Sequence, residues 1–237
     1  MGALEAIGEA QSGKAGPSYA QALREIRAGR KSSHWIWYVW PTLRALRPTT
    51  SRPAYLLPDL DAVRAWMCHT KLQPRLLTIT EAAIGHLEAG KQPRVLFGSA
   101  TDADKFHEAM TLYAAVAAAA LRALATLVGA TSGDAPRRGE GEDARAAYTS
   151  TLQLCDRALE AIAGGKLHDR TMAAVADEGL AVGSPYTAAE LQLIARAEPT
   201  AGRWEEWELE PEPGSDPEPA RPRPGLGEPK GAYLPWA

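Results

Sequence analysis

The sequence predicts an all-α protein: a single compact multi-helix domain, an inserted flexible loop within it, and a disordered acidic C-terminal tail rich in Pro and Trp. Three observations carry this expectation. Apolar residues recur at the spacing of one helical face in segment after segment. No stretch alternates with the two-residue period of a half-buried strand, and the best strand candidate, Val95-Leu96-Phe97, is only three residues long. From Pro199 onward the composition changes: nine of the eighteen prolines lie there, and seven acids fall between Glu205 and Glu218 without one base. Such a segment cannot bury enough surface to offset the entropy of ordering it.

The elements follow in order. Tyr19, Ala22, Leu23 and Ile26 share one helical face, and Gly29 is the expected stop. Pro58-Asp59 opens a second helix through Leu60, Val63, Trp66 and Met67. A third runs from Pro74 to Gly90 with Leu76, Leu77, Ala83, Ile84 and Leu87 inward. Asp102 or Asp104 is placed to cap a long helix whose apolar face continues through Met110, Tyr113, Val116, Leu121, Leu124 and Val128. Residues 129–142 hold Ser, Gly, Pro and charge runs and read as the inserted loop. Helical periodicity resumes over 143–163, then in two shorter stretches, 171–176 and 187–197, where Thr187 and Glu190 have capping-box spacing. The expected division is a helical domain over 1–198 and a tail over 199–237.

Composition narrows the function classes. A chain of 237 residues supports one good core. Its net charge is −3, with both signs interspersed, which argues against a nucleic acid partner. Cys68 and Cys155 lie far apart without ligand spacing and read as structural thiols in a reducing compartment. The N-terminus lacks the basic and apolar regions of a signal peptide, and Ala6 stands where a myristoylation motif requires Ser or Thr. The longest apolar run, 109–121, is too short to span a bilayer, so no membrane contact and a cytoplasmic location are expected. His69, His86, His107 and His168 share no ligand spacing, so no metal is expected. No phosphate loop, dinucleotide fingerprint or nucleophile elbow is present, so no cofactor and no reaction type follow.

The most informative stretch is the 29–41 block, Gly-Arg-Lys-Ser-Ser-His-Trp-Ile-Trp-Tyr-Val-Trp-Pro. Its aromatic rings are costly to leave in water, while Lys31, Ser33 and His34 are costly to bury unpaired. A segment holding both belongs where a core meets a polar cleft.

On this block the chain resembles the uncharacterised domain-of-unknown-function family 1810. The hallmark stands here as Gly29, Lys31, Ser33, His34, Trp35, Trp37, Tyr38, Trp40 and Pro41. Glu9-Ala10-Gln11 and Tyr19 are similar to the family's opening, and His69, Lys71-Leu72 and Pro74-Arg75-Leu76 to its second block. Phe97-Gly98, Asp102, Lys105 and Met110-Thr111-Leu112-Tyr113 are similar to its third, and Gly165 and Asp169-Arg170-Thr171 to its last. The resemblance runs from about 4 to 177. It implies a compact helix-rich fold and no established activity. Some members are labelled calpastatin, but calpain inhibition through long disordered repeats does not fit this chain. Thr42 stands where a Gln follows the proline, Thr70 and Gln73 replace a Pro and a Gly, and Glu108-Ala109 replaces a Ser pair.

Two readings follow. In the first, Lys31, Ser33, His34, Trp35 and Tyr38 line a site for a small anionic or nucleotide-like ligand, with Arg75, Asp102, Lys105 and Thr111 completing it. His34 would be the general acid or base, and Lys31, Arg75 and Lys105 an anion pocket. The structural alternative pairs those cations with Asp102, Asp104 or Glu25, places most of the tryptophans in the core, and leaves Thr111 bonded to a helix carbonyl. In the second reading the chain is a protein-interaction module built from the helical body and the tail bearing Trp204, Trp207 and Trp236. The two separate on where the polar groups of the 29–41 block point: toward a cleft, or into ion pairs closed inside the body.

Overall fold

Residues 2–130 and 138–180 are described by the computed structural model, with side chains over 2–126 and 142–180. The tail and the 187–197 helix lie outside the described residues, as do residues 131–137 of the expected loop. The all-α expectation holds. Among the described residues there are nine α-helices, two 3-10 turns (Arg44–Leu46 and Pro53–Tyr55) and no strand. An isolated bridge joins Leu43 to Leu57.

α1 (Ala3–Gln11) precedes α2 (Tyr19–Arg27), which Ser18 caps by accepting the Gln21 N–H. The aromatic block turns into α3 (Ile36–Val39), a single turn. α4 (Leu60–Met67) is capped by Asp59, whose carboxylate accepts the Ala62 N–H at 2.8 Å. α5 (Leu72–Glu88) starts two residues before the expected Pro74. The strand candidate Val95-Leu96-Phe97 instead lies in α6 (Pro93–Leu96) and its cap, because Pro93 at the first helical position favours a turn.

α7 (Ala100–Ala130) is the axis of the core. Its start is capped by Ser99, whose hydroxyl accepts the Asp102 N–H at 3.0 Å, rather than by Asp102 or Asp104. Both aspartates fall inside the first turns and use their carboxylates on cations instead. α7 extends to Ala130 and α8 (Arg138–Ala163) begins at Arg138, so both ends of the expected 129–142 loop are helical. α9 (Asp169–Asp177) follows, capped by His168.

Alanines at 109, 114, 115, 117 and 118 are buried along α7 and let α8 approach closely through Leu152, Cys155, Ala158 and Leu159. Over Ala100–Thr126 this helix is long and apolar enough to cross a bilayer, with a mean hydropathy of 1.5, yet 56% of that apolar window is buried inside the protein. Tyr113, at 0% exposure, donates its hydroxyl to the Pro41 carbonyl at 2.6 Å. The end of the aromatic block is thereby fixed to the core helix.

The aromatic rings form one cluster. Trp40 meets Trp35 at 5.6 Å, Phe97 at 5.7 Å and Phe106 at 4.8 Å between centroids, and Phe97 stacks on Phe106 at 4.6 Å. The Trp40 indole N–H donates to the Thr80 hydroxyl at 2.9 Å, so burial leaves no orphan donor there.

Gly98 carries φ +77°, and a Cβ there would sit 2.8 Å from the Lys31 carbonyl oxygen. The close approach is real packing: the Lys31 N–H donates to the Leu96 carbonyl at 2.7 Å. Gly98→Ala is therefore expected to destabilise the protein by more than the ~1–2 kcal/mol of the left-handed backbone alone. Gly90→Ala is the control, because Gly90 has φ +85° and nothing within 4 Å of its would-be Cβ. Urea unfolding of both variants checks this, and equal losses would remove the packing claim.

Candidate functional site

The 29–41 block leaves α2 through Gly29, whose φ of +78° turns the chain back along the helix it has just left. That reversal brings residues 32–35 beside Glu25. The Glu25 carboxylate accepts from the Ser32 N–H at 2.8 Å, the Ser33 N–H at 3.0 Å, the Ser33 hydroxyl, and the Trp35 indole N–H at 2.7 Å. The Gln21 amide adds a further donor at 3.2 Å. Burial alone would raise the Glu25 pKa, but the Ser33 hydroxyl, the Ser32 amide and the Trp35 indole outweigh it and lower it to about 2.

Lys31 turns the other way, to α7. Its ammonium meets Asp102 at 2.6 Å, and Lys105 meets the other Asp102 oxygen at 2.9 Å. The three side chains are 6%, 9% and 15% exposed. Each ammonium also faces an indole: Lys31 lies 5.3 Å from the Trp35 ring centroid and Lys105 only 3.5 Å from that of Trp37. Burial opposes ionisation of Asp102, but the hydrogen bonds from Lys31 and Lys105 prevail and lower its pKa.

Apart from Trp35, whose ring Lys31 faces, the remaining predicted residues do not converge on this point. Trp35 is fully buried, and Tyr38 is buried with its hydroxyl on the Pro17 carbonyl at 2.6 Å. Arg75 lies over Tyr19, 5.2 Å from its ring, and bonds Gln11 at 3.3 Å. Thr111 is at 0% exposure, its hydroxyl accepting the His168 N–H at 3.0 Å. His34 is exposed and makes no hydrogen bond or ion pair with the described residues. Lys31, Asp102 and Lys105 come together; Ser33 and Trp35 join Glu25; Tyr38, Arg75 and Thr111 are bonded elsewhere, and His34 faces solvent.

A second polar centre had no local signal. Glu108, at 0% exposure, receives Arg47 in a fork, at 3.3 Å from Nε and 2.7 Å from Nη2. Asp104 lies 3.8 Å from the same guanidinium and 3.3 Å from the His168 ring. Asp104, Glu108 and His168 offer ligand atoms within 4.8 Å of one another, a set that attracts a cation, and the guanidinium of Arg47 supplies one. The partners are 61 residues apart, so no spacing rule links them.

Open space is scarce around these groups. A crevice lined by Ile36, Trp37, Trp40, Thr42, Leu56 and Lys105 leaves no room for a water molecule. An open depression of about 210 Å³ lies between Asp59–Arg64 and Glu178–Leu180, away from the aromatic block. Among the described residues Val95, at 48% exposure, is the large apolar side chain that faces solvent.

Two outcomes follow. Glu25→Gln is expected to lower stability by about 2 kcal/mol at pH 7, the scale of hydrogen bonds to a charged group. Because the folded-state value is depressed, this stabilisation is present above the ordinary 4.5 and is lost as pH falls toward about 2. The gap between wild type and variant in urea melts should therefore close between those limits; a gap independent of pH would contradict the assignment. Arg47→Ala should cost about 3–5 kcal/mol by stranding a buried carboxylate. Thermal melts of Arg47→Met/Glu108→Leu should recover most of that loss, and no recovery would mean that the pair is not isolated.

A family model described as Protein of unknown function (DUF1810) matches residues 3–135, which include the 29–41 block, Arg75, Asp102, Lys105 and Thr111. The match ends before Gly165 and Asp169-Arg170-Thr171. The crystal structure of the conserved hypothetical protein Rv1873 from Mycobacterium tuberculosis is similar, with 26% identity and a TM-score of 0.50, over 73% of this chain and 96% of that chain. No curated protein matches.

Proposed function

The chain belongs to the DUF1810 family of proteins of unknown function, and we propose that its helical body is a protein-interaction module presenting a cationic face to acidic protein segments. The carrying observation is a group of five basic residues, Arg24, Arg27, Arg30, Lys91 and Arg94, with no carboxylate partner among the described residues.

Three contacts support their grouping. The His86 ring lies 3.2 Å from the Arg27 carbonyl, the Lys91 ammonium donates to the Gly29 carbonyl at 2.9 Å, and the Lys31 N–H reaches Leu96. The end of α2 is thus stitched to the end of α5 and to α6, and the exposed Arg94 and Val95 follow on the same seam. Of the nearby acids, Glu88 is paired with Arg157 at 3.1 Å, while the Glu25 carboxylate is turned inward to neutral donors of the aromatic block and keeps its charge. Arg24 and Arg27 complement the C-terminal dipole of α2, but Arg30 and Lys91 lie beyond helix ends and gain less from it.

An acidic peptide fits better than the other polyanions. No Trp, Tyr or Phe ring stands fully exposed among the described residues to stack a base. One exposed valine offers too little apolar area for a lipid surface. The second contact in this reading, the acidic segment bearing Trp204, Trp207 and Trp236, rests on its sequence alone. The small-ligand reading finds little room at the 29–41 block, where the crevice beside Lys105 admits no water.

The test uses a labelled peptide of mixed Glu and Asp and the full-length protein. Wild type should bind with an affinity that falls with salt, and Arg27→Glu/Arg30→Glu/Arg94→Glu should bind at least about tenfold more weakly with an unchanged helical spectrum. Equal binding by the variant, or stronger binding of wild type to duplex DNA or anionic vesicles, would overturn the proposal.

A further inference from the structure

We infer that Trp35 joins the two anchors of the 29–41 block into one conformational unit, its indole edge held by Glu25 and its face holding Lys31. The block then docks or releases as a whole, and this coupling does not depend on what the cationic face binds.

The first observation is the placing of the ring. Trp35 is fully buried, its indole N–H donates to the Glu25 carboxylate at 2.7 Å, and the Lys31 ammonium lies 5.3 Å from its ring centroid. An aromatic ring carries a positive edge and a negative face. Here the edge meets an anion and the face a cation, so each charge sits on the side that attracts it. The anion pushes electron density into the ring, which strengthens its hold on the ammonium. The ammonium in turn draws density off the face and makes the N–H a better donor. Each contact is therefore stronger while the other is present.

The other two rings of the block are placed differently. Trp40 gives its N–H to the neutral Thr80 hydroxyl at 2.9 Å. Trp37 turns its face to Lys105 at 3.5 Å, but its N–H makes no hydrogen bond with the described residues. Among the three, Trp35 alone has a carboxylate on its edge and an ammonium over its face.

The second observation is that the two anchors belong to different elements. Glu25 lies on α2, while Lys31 is tied to α7 through Asp102 at 2.6 Å and to α6 through its N–H on the Leu96 carbonyl at 2.7 Å. Glu25 and Lys31 form no ion pair with each other. The Lys31 side chain is only 6% exposed, so water screens its contact with the ring little. The Ser32 and Ser33 amides are held by the Glu25 carboxylate. Loss of the Lys31 ammonium therefore loosens bonds on the α2 side that it does not itself make.

The experiment is a double-mutant cycle on the full-length protein, Glu25→Gln with Lys31→Met, read by urea unfolding. Lys31→Met leaves Asp102 paired with Lys105, so no carboxylate is stranded. The unfolding constant of the double variant should rise about threefold to tenfold less than the product of the two single effects. Lys31 and Ser32 are neighbours in the chain, so the cycle is repeated in Trp35→Phe, which keeps a ring face and removes the N–H. The coupling should vanish there. Additive losses in the Trp35 background overturn the inference, as does a coupling that Trp35→Phe leaves unchanged. Should the Trp35→Phe variants not fold, two measurements on Lys31→Met alone decide. The Trp35 indole proton resonance should move upfield as its bond to Glu25 weakens, and the Ser32 and Ser33 amides should lose protection from hydrogen exchange. An unmoved resonance with unchanged protection overturns the inference.

Discussion

Trp35 and Trp40 can reach the core only if the polar residues in front of them are satisfied on the way, and the carboxylates of Glu25 and Asp102 do this. Glu25 takes both serine amides, the Ser33 hydroxyl and the Trp35 indole, so the approach to the core is bonded at every step. Asp102 takes Lys31 on the other side, tying the same segment to α7. Between these two anchors the chain is drawn across α2 and onto α7, and the cluster of Trp40, Phe97 and Phe106 closes beneath it. Remove Asp102 and the buried Lys31 loses its carboxylate; remove Glu25 and a run of exposed and half-buried donors loses its acceptor, a smaller cost.

The charges of the body fall into three kinds with different consequences. Arg47 meets Glu108 in the interior, with Asp104 at 3.8 Å from the same guanidinium, and locks the turn near Leu46 to α7. Lys31 and Lys105 share Asp102 and are enclosed between it and two indole rings. The arginines at the end of α2, with Lys91 and Arg94, are outward and without acids. The outward basic groups leave a positive potential at the surface that an extended acidic partner would answer.

Much of the fold was legible in residue spacing. The faces of α2, α4, α5, α7 and α8 follow from apolar periodicity because each of these helices has one side on the core. Boundaries were less so. Ser99 rather than Asp102 caps α7, since both are acceptable caps locally and only the pull of two lysines on Asp102 decides between them. Val95-Leu96-Phe97 has strand-like residues, yet the Pro93 turn and the burial of Phe97 against Phe106 make it helical. The ends of the 129–142 stretch continue α7 and α8, which their Gly, Pro and charged composition does not announce.

The candidate site was legible in part. The sequence by itself determined that the 29–41 block must combine buried rings with satisfied polar groups, since both residue types occur within a few positions of one another and neither tolerates the other's environment. It also determined that Lys31, Asp102 and Lys105 were charged groups in need of partners. Only the tertiary structure decided which partners they found: Glu25 for the serines and Trp35, Asp102 for both lysines, Arg47 for Glu108. Arg75, Tyr38 and Thr111 looked equivalent to these in the sequence and were sent elsewhere. The reason is that, apart from Asp102–Lys105, which sits at i,i+3 on α7, these pairings depend on which elements meet across the chain and leave no periodic trace in the sequence.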